Sequence, residues 1–236
     1  MKTKLFETEQ PLPQRRALKR RDGGSPRDGR SVPPAKREQN KSVKQDRIKD
    51  AARALFTEMG YEKATVRAIA ARAGVALGTV SLYAQDKRDL ILLACNDDVE
   101  VMIACGAAMF DPEASFEDNL IDFVRVFYEG YAANLQLART YLQINFFAYG
   151  INAKGLALNR QNKLDAVSRI VENGQRRGEV RNDVKPDVIA MQFLFLHSSA
   201  VRGWILEDVP QIDEGVQEMR RLIELQMQGL SSRPGR

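Results

Sequence analysis

The chain has 236 residues, 44% of them hydrophobic, 28% charged and 7% aromatic, with a net charge of +5. That is an ordinary globular composition with length for a real core, neither collagen-like nor wholly disordered. Two cysteines and one histidine exclude a disulfide scaffold and leave little from which to assemble a zinc site or a histidine-based catalytic triad.

No metal and no cofactor are expected. Uncharged runs such as Val188 to Val201 reach 14 residues, short of the roughly 18 that a spanning helix needs, so no membrane is expected. The basic N-terminus has no apolar h-region and therefore no secretory signal. A cytoplasmic protein is the expectation. The charge is distributed unevenly. Residues 1–41 carry 12 Lys and Arg against 5 Asp and Glu, whereas residues 91–236 carry 15 against 20. A basic front joined to an acidic remainder suits a polyanion-binding end on a body with another task, although a solvated basic tail gives the same count.

Residues 1–41 read as a disordered basic arm. They hold Pro11, Pro13, Pro26, Pro33 and Pro34, three glycines, and few large apolar residues to offset chain entropy. From Ser42 the pattern is helical. Ile48, Ala51, Ala52, Leu55, Phe56 and Met59 form one stripe, with Gly60 at a helix end. Thr65 caps a helix through Ala73, Gly74 interrupts, and a short helix follows around Leu77–Tyr83. Asp86 caps a helix running to about Phe110. Ser115 with Asp118 opens the next, carrying Leu120, Val124, Phe127 and Tyr131.

Further helices are expected over about Arg139–Tyr149, through Leu164, Val167 and Val171 to Gly174 or Gly178, over Pro186–Leu206, and through Ile212, Val216, Met219, Ile223 and Leu230. No segment keeps a period of two. The class is all-α, with about nine helices, divided as a disordered basic arm (residues 1–41), a first helical unit (42–88), a second helical unit (89–230) and a disordered tail (231–236).

The sharpest signal lies between Thr65 and Tyr83. A helix-turn-helix needs a small residue where its helices cross, a glycine at the turn and an apolar residue facing back from the second helix. Ala70, Gly74, Val75 and Val80 stand at those spacings. An ordinary helical hairpin is the plain alternative.

Over Arg47–Leu93 the sequence resembles the TetR family of transcriptional regulators. Phe56 to Tyr61 reads as that family's F-x-x-x-G-[YF], Thr65 to Val75 as T-[TV]-x-x-I-A-x-x-A-G-V, and Gly78 to Leu90 as G-T-[LIV]-Y-x-Y-F-x-x-K-x-x-L. Three positions depart from it. Ala76 stands where Ser caps the recognition helix, removing a bond typically worth about 1 kcal/mol, while Ser81 replaces a Tyr and Ala84 a Phe.

The resemblance implies that residues 42–88 are a three-helix DNA-binding domain and residues 89–230 a helical domain that binds ligand and dimerises. It implies DNA contacts at Thr65, Arg67, Leu77, Gly78, Thr79, Ser81, Tyr83 and Lys87. Arg67, Leu77 and Thr79 would meet base edges, and Thr65, Tyr83 and Lys87 phosphates. It also implies a homodimer through the last two long helices on a double-stranded palindromic operator, released by a small effector.

An apolar or aromatic effector fits the concentration of aromatics in the second domain. Phe123, Phe127, Tyr131, Phe147, Phe193 and Trp204 are the candidate ligand-binding residues, and the same stripes suit a plain core. Gln143, Asn145 and Arg202 could orient a ligand. The chain is not expected to be an enzyme, since it offers no nucleophile–base grouping. The rival is a helical interaction protein on this fold that has lost specific DNA binding.

Overall fold

The computed structural model describes residues 34–230. Helix α1 (Pro34–Lys63) begins eight residues before the expected start, so residues 34–41 are not part of an irregular arm. Proline suits a first helical position and the residues after it are good helix formers. The rest of the expected arm and the tail at 231–236 lie outside the described residues. Gly60 (φ 79°, ψ 162°) breaks α1, as its place at the end of the apolar stripe predicts. Helices α2 (Val66–Ala73) and α3 (Leu77–Val80) follow, and α3 ends three residues short of the expected Tyr83.

Helix α4 (Lys87–Ala108) joins the two halves. Leu90 to Cys95 are buried all round, because α1 covers one side and the second domain the other. Ion pairs tie α4 to α1. Lys49 meets Asp97 at 2.7 Å, and Arg53 meets Asp98 at 2.7 Å. Cys95 lies in this core with its thiol pushed up to about 12 by burial, which keeps it inert. Cys105, expected as a small core residue, is exposed.

The second domain holds α5 (Phe116–Ala132), α6 (Leu135–Ile144), a 3-10 turn (Asn145–Phe147), α7 (Ala153–Arg176), α8 (Pro186–Ile205) and α9 (Ile212–Leu230). The described residues contain helices and no strand. Ser115 caps α5 as expected, accepting the Asp118 N–H at 3.0 Å. Helix α6 starts four residues before the expected Arg139. Asn134 caps it by accepting the Leu137 N–H at 3.1 Å, a start with no glycine or proline to announce it. Of the two candidate stops for α7, Gly178 (φ 74°) is the break. Gly174 lies inside the helix, where a Cβ would meet Val180 at 2.9 Å and Phe116 at 3.0 Å.

Helix α8 corrects the membrane arithmetic. By length and composition it is the one described helix apolar enough to cross a bilayer, with a mean hydropathy of 1.2. Counting uncharged runs missed it because Asp187 and Arg202 stand at the margins of an otherwise apolar helix. Ile189, Ala190, Phe193, Val201, Trp204 and Ile205 serve the core, while Val188, Met191 and Phe195 face outward.

Candidate functional site

Thr65, with extended φ and ψ, caps α2 by accepting the Ala68 N–H at 3.1 Å. Gly74 then takes the left-handed conformation (φ 63°, ψ 40°). Its N–H donates to the Ala71 carbonyl and that of Val75 to the Ala70 carbonyl. Ala70 and Val80 are buried where α2 and α3 cross. A side chain at residue 74 would also strike the Arg47 guanidinium, whose Nη2 donates to the Gly74 carbonyl at 3.4 Å. Ala76 opens α3 without a side-chain capping bond, as its methyl dictates.

One surface of this motif is free for a ligand. Arg67, Leu77, Gly78 and Ser81 are exposed and Thr79 is half-buried. Gly78 has open space where a Cβ would stand, so a backbone or base edge can approach closely. Leu82, 73% exposed, belongs to the same region. It was not among the expected residues, and its signal was an apolar side chain off the buried stripe.

Tyr83 and Lys87 are engaged inside the domain. The Tyr83 ring is buried and its hydroxyl donates to the Lys41 carbonyl at 3.1 Å. The Lys87 ammonium donates to the Tyr61 carbonyl at 2.9 Å and sits 4.3 Å from the centre of the Tyr61 ring. It therefore neutralises the carbonyl end of α1.

A cavity of about 550 Å³ opens between α7 and α8 and is closed by residues of α4, α5 and α6. Of the six aromatics expected to bind a ligand, Tyr131 lines it. Phe123, Phe127 and Phe193 are instead core, 1% exposed or less. Trp204 packs edge-on against Tyr128 at 5.0 Å, and its N–H donates to the Gln211 carbonyl at 2.8 Å. Phe147 is 77% exposed. These stripes fill the bundle because large aromatics supply most of the area a core can bury. Of the polar candidates, Asn145 and Arg202 line the cavity, and Gln143 is exposed outside it.

Two cations unforeseen from sequence line the cavity, Arg160 and Lys163. The Lys163 ammonium lies 3.6 Å from the centre of the Phe127 ring. Burial, with Arg202 nearby, pushes it down to about 7. Arg202 donates to the Ser198 carbonyl at 2.8 Å and to Asn145 Oδ1 at 2.9 Å. Burial also holds Tyr131 and Tyr141 far above the ordinary phenol range. Behind the wall, His197 packs between Phe127 and Tyr128 with Nε2 unpartnered. Burial, then Lys163 and Arg202, hold it well below its ordinary value, and it is neutral.

A buried carboxylate links cavity and motif. Asp89 accepts the N–H groups of Gln85 and Ile151, each at 2.8 Å, and of Asn152 at 2.9 Å. Asn152 Nδ2 reaches the Tyr83 carbonyl at 2.9 Å. A continuous path therefore runs from Arg202 through Asn145 and the 3-10 turn to Asn152, and from there to Asp89 and Tyr83.

The sequence model described as bacterial regulatory proteins, tetR family, matches residues 48–94. No curated protein matches the chain. Among solved structures, the Thermus thermophilus repressor FadR in complex with lauroyl-CoA superposes with a TM-score of 0.65 at 20% identity, over 81% of this chain and 98% of its own. FadR from Bacillus subtilis with stearoyl-CoA gives a TM-score of 0.62 at 20% identity, over 78% and 98%. A transcriptional regulator of the same family from Pectobacterium atrosepticum gives 0.65 at 16% identity, over 86% and 100%.

Proposed function

We propose, from the match of residues 48–94 to the tetR family's N-terminal model, that the chain is a TetR-family, ligand-responsive transcriptional repressor acting in the cytoplasm as a homodimer. The carrying observation is the unobstructed face of Arg67, Leu77, Gly78, Thr79 and Ser81 on a helix-turn-helix whose turn glycine is left-handed. A recognition helix enters the major groove and reads bases with such side chains. Arg67 suits a guanine edge, and Leu77 or Thr79 a thymine methyl. The Thr65 hydroxyl, at the N-terminus of α2, suits a phosphate.

The dimer would form on α8 and α9. Gly203 lies inside α8 with no atom of its own chain within 4 Å of a built Cβ. A mid-helix glycine costs about 1 kcal/mol against alanine, and close approach of a second copy's helix offsets it. The effector would occupy the cavity between α7 and α8, and its arrival would reach the recognition helix through Asn145, Asn152 and Asp89. Two of the structural neighbours hold acyl-CoA, which supports an effector site in this domain. Differential affinity of the effector for two arrangements of the dimer is all that release from DNA requires.

Selection of bound DNA from random sequence tests this reading. A palindrome with half-sites about one helical turn apart or more is expected. A second reading, an interaction protein without specific DNA binding, draws on the uncapped Ala76 and the four-residue α3. Equal affinity for the selected site and random DNA would favour it.

A further inference from the structure

Helix α7 carries an apolar stripe through Leu156, Val167, Ile170 and Val171. Arg160 and Lys163 stand at i+4 and i+7 from Leu156, on that stripe, where an amphipathic helix ordinarily places apolar residues. Arg202 comes from the facing helix α8, and all three line one cavity. The partners these cations have are neutral. Arg160 donates to the Asn145 carbonyl, Arg202 to Asn145 and Ser198, and Lys163 lies on the Phe127 ring.

Among the described residues no carboxylate forms an ion pair with any of the three, and none lines the cavity. Arg160 is exposed at the mouth, while Lys163 and Arg202 are half-buried, and charges withdrawn from water are ordinarily paired because losing hydration is costly. Burial lowers the proton affinity of Lys163, and the positive charge of Arg202 lowers it further. The apolar part of the lining is Val99, Leu156, Leu164 and Leu194 with the exposed Met191 and Phe195, beside the neutral polar Asn159 and Gln161.

We propose that this cavity is built for an amphipathic anion, a carboxylate or equivalent head group held by Lys163 and Arg202 with Arg160 at its side, its apolar body lying along α7 and α8. This inference rests on the effector reading above and names the effector's chemical class. An Arg fork and an ammonium together match a carboxylate's two oxygens. The Tyr131 and Tyr141 hydroxyls, kept protonated by burial, are further donors at the same wall. A neutral greasy compound would fill the cavity and leave the cations as they are. An anion supplies the charge that the fold omits. A free carboxylate and the acyl thioester of a phosphorylated carrier share this chemistry.

Calorimetric titration of the full chain with decanoate, decan-1-ol and decanoyl-coenzyme A, without DNA, tests the assignment. Decanoate is expected to bind at least about tenfold tighter than the alcohol. Lys163→Met and Arg202→Met should each collapse that ratio, and Lys163→Arg should preserve it. Equal binding of acid and alcohol by the parent chain overturns the proposal, as does a preference that survives both Met variants. Should a Met variant misfold, visible as lost helical circular dichroism, the parent ratio and Lys163→Arg still decide. Tighter binding of decanoate or of its thioester identifies the source of the head group. If decanoate binds with the expected preference but leaves DNA affinity unchanged, the cavity chemistry stands and the effector reading falls.

Discussion

Asn152 holds Asp89 from two sides. Its backbone N–H donates to the Asp89 carboxylate at 2.9 Å, and its side-chain amide donates to the Asp89 backbone carbonyl at 3.3 Å. The same amide reaches the Tyr83 carbonyl, so one asparagine touches both the helix that joins the domains and the end of the recognition motif. Gly150 permits this closeness. At φ 106° it adopts a backbone few other residues tolerate, and a Cβ there would lie 2.5 Å from the Asp89 carboxyl carbon.

Asp89→Asn keeps the shape and loses acceptor capacity. Each hydrogen bond to a charged group is worth about 1.5–3 kcal/mol, so thermal unfolding should show a loss of about 2–3 kcal/mol. The effector's influence on DNA affinity should fall together with stability. A variant as stable as the parent with coupling intact would remove Asp89 from the path between the sites.

Arg67→Ala and Thr79→Ala should each cost roughly 1–3 kcal/mol on the preferred site and little on random DNA. Tyr83→Phe should behave differently. It loses the bond to the Lys41 carbonyl, worth about 1 kcal/mol, and should weaken binding to all sequences alike. Fluorescence anisotropy on both DNAs separates the two patterns.

Lys163 gives the ligand-free protein a pH signature. Its folded value of about 7 lies below the ordinary lysine value of about 10.4. Between about pH 7 and 10 the unfolded chain therefore holds a proton that the folded chain lacks, and stability should rise with pH across that window. Below pH 7 both states are protonated and the full penalty remains. The groups facing it are Arg160 on its own helix, His197 and Arg202 on α8, Tyr131 on α5 and Tyr141 on α6. The tyrosines are pushed far above this window, and His197 is neutral well below it. Lys163→Met should raise the melting temperature at pH 7, by about 2–4 °C for each kcal/mol gained. The difference between parent and variant should shrink toward pH 10. A flat difference would mean that Lys163 is charged throughout.

Gly203→Arg places a long cation where nothing of the same chain stands. The monomer fold should survive it, and the dimer should not. Sedimentation analysis is expected to show a monomer with unchanged helical content and weakened operator binding. A dimer of parental stability would move the interface elsewhere.

The DNA-binding motif was legible because each defining position answers to one local constraint. Ala70 must be small, Gly74 must turn left-handed and Val80 must face back, and all three lie within eleven residues of one another. The cavity was not legible. Its aromatics were indistinguishable by spacing from a core, and Phe123, Phe127 and Phe193 proved to be that core. Lys163 and Arg160 carried no signal of their own, since only the packing of α7 against α8 brings them to the same cavity as Arg202. The role of Asp89 was not legible either, since Ile151 and Asn152 bind it across more than sixty residues of sequence.

Residues 1–33 carry 9 Lys and Arg against 4 Asp and Glu. If they meet DNA, each phosphate they neutralise should add about 0.9 to the salt slope of log affinity. Deleting them should flatten that slope and leave discrimination between sites nearly unchanged. Equal slopes would show an idle segment. The deletion has to stop at residue 33, because Lys41 receives the Tyr83 hydroxyl and a longer cut would loosen the recognition helix itself.

The early start of α1 has a mechanical side. Eight residues wound as a helix span about 12 Å, where the same residues extended would span about 27 Å. Winding residues 34–41 therefore shortens the reach between residue 33 and the body of the domain by more than half. Residues 34–41 form a stiff post, and Tyr83 anchors it to the recognition motif through the Lys41 carbonyl. Residue 33 therefore joins a rigid helical end rather than a further stretch of extended chain.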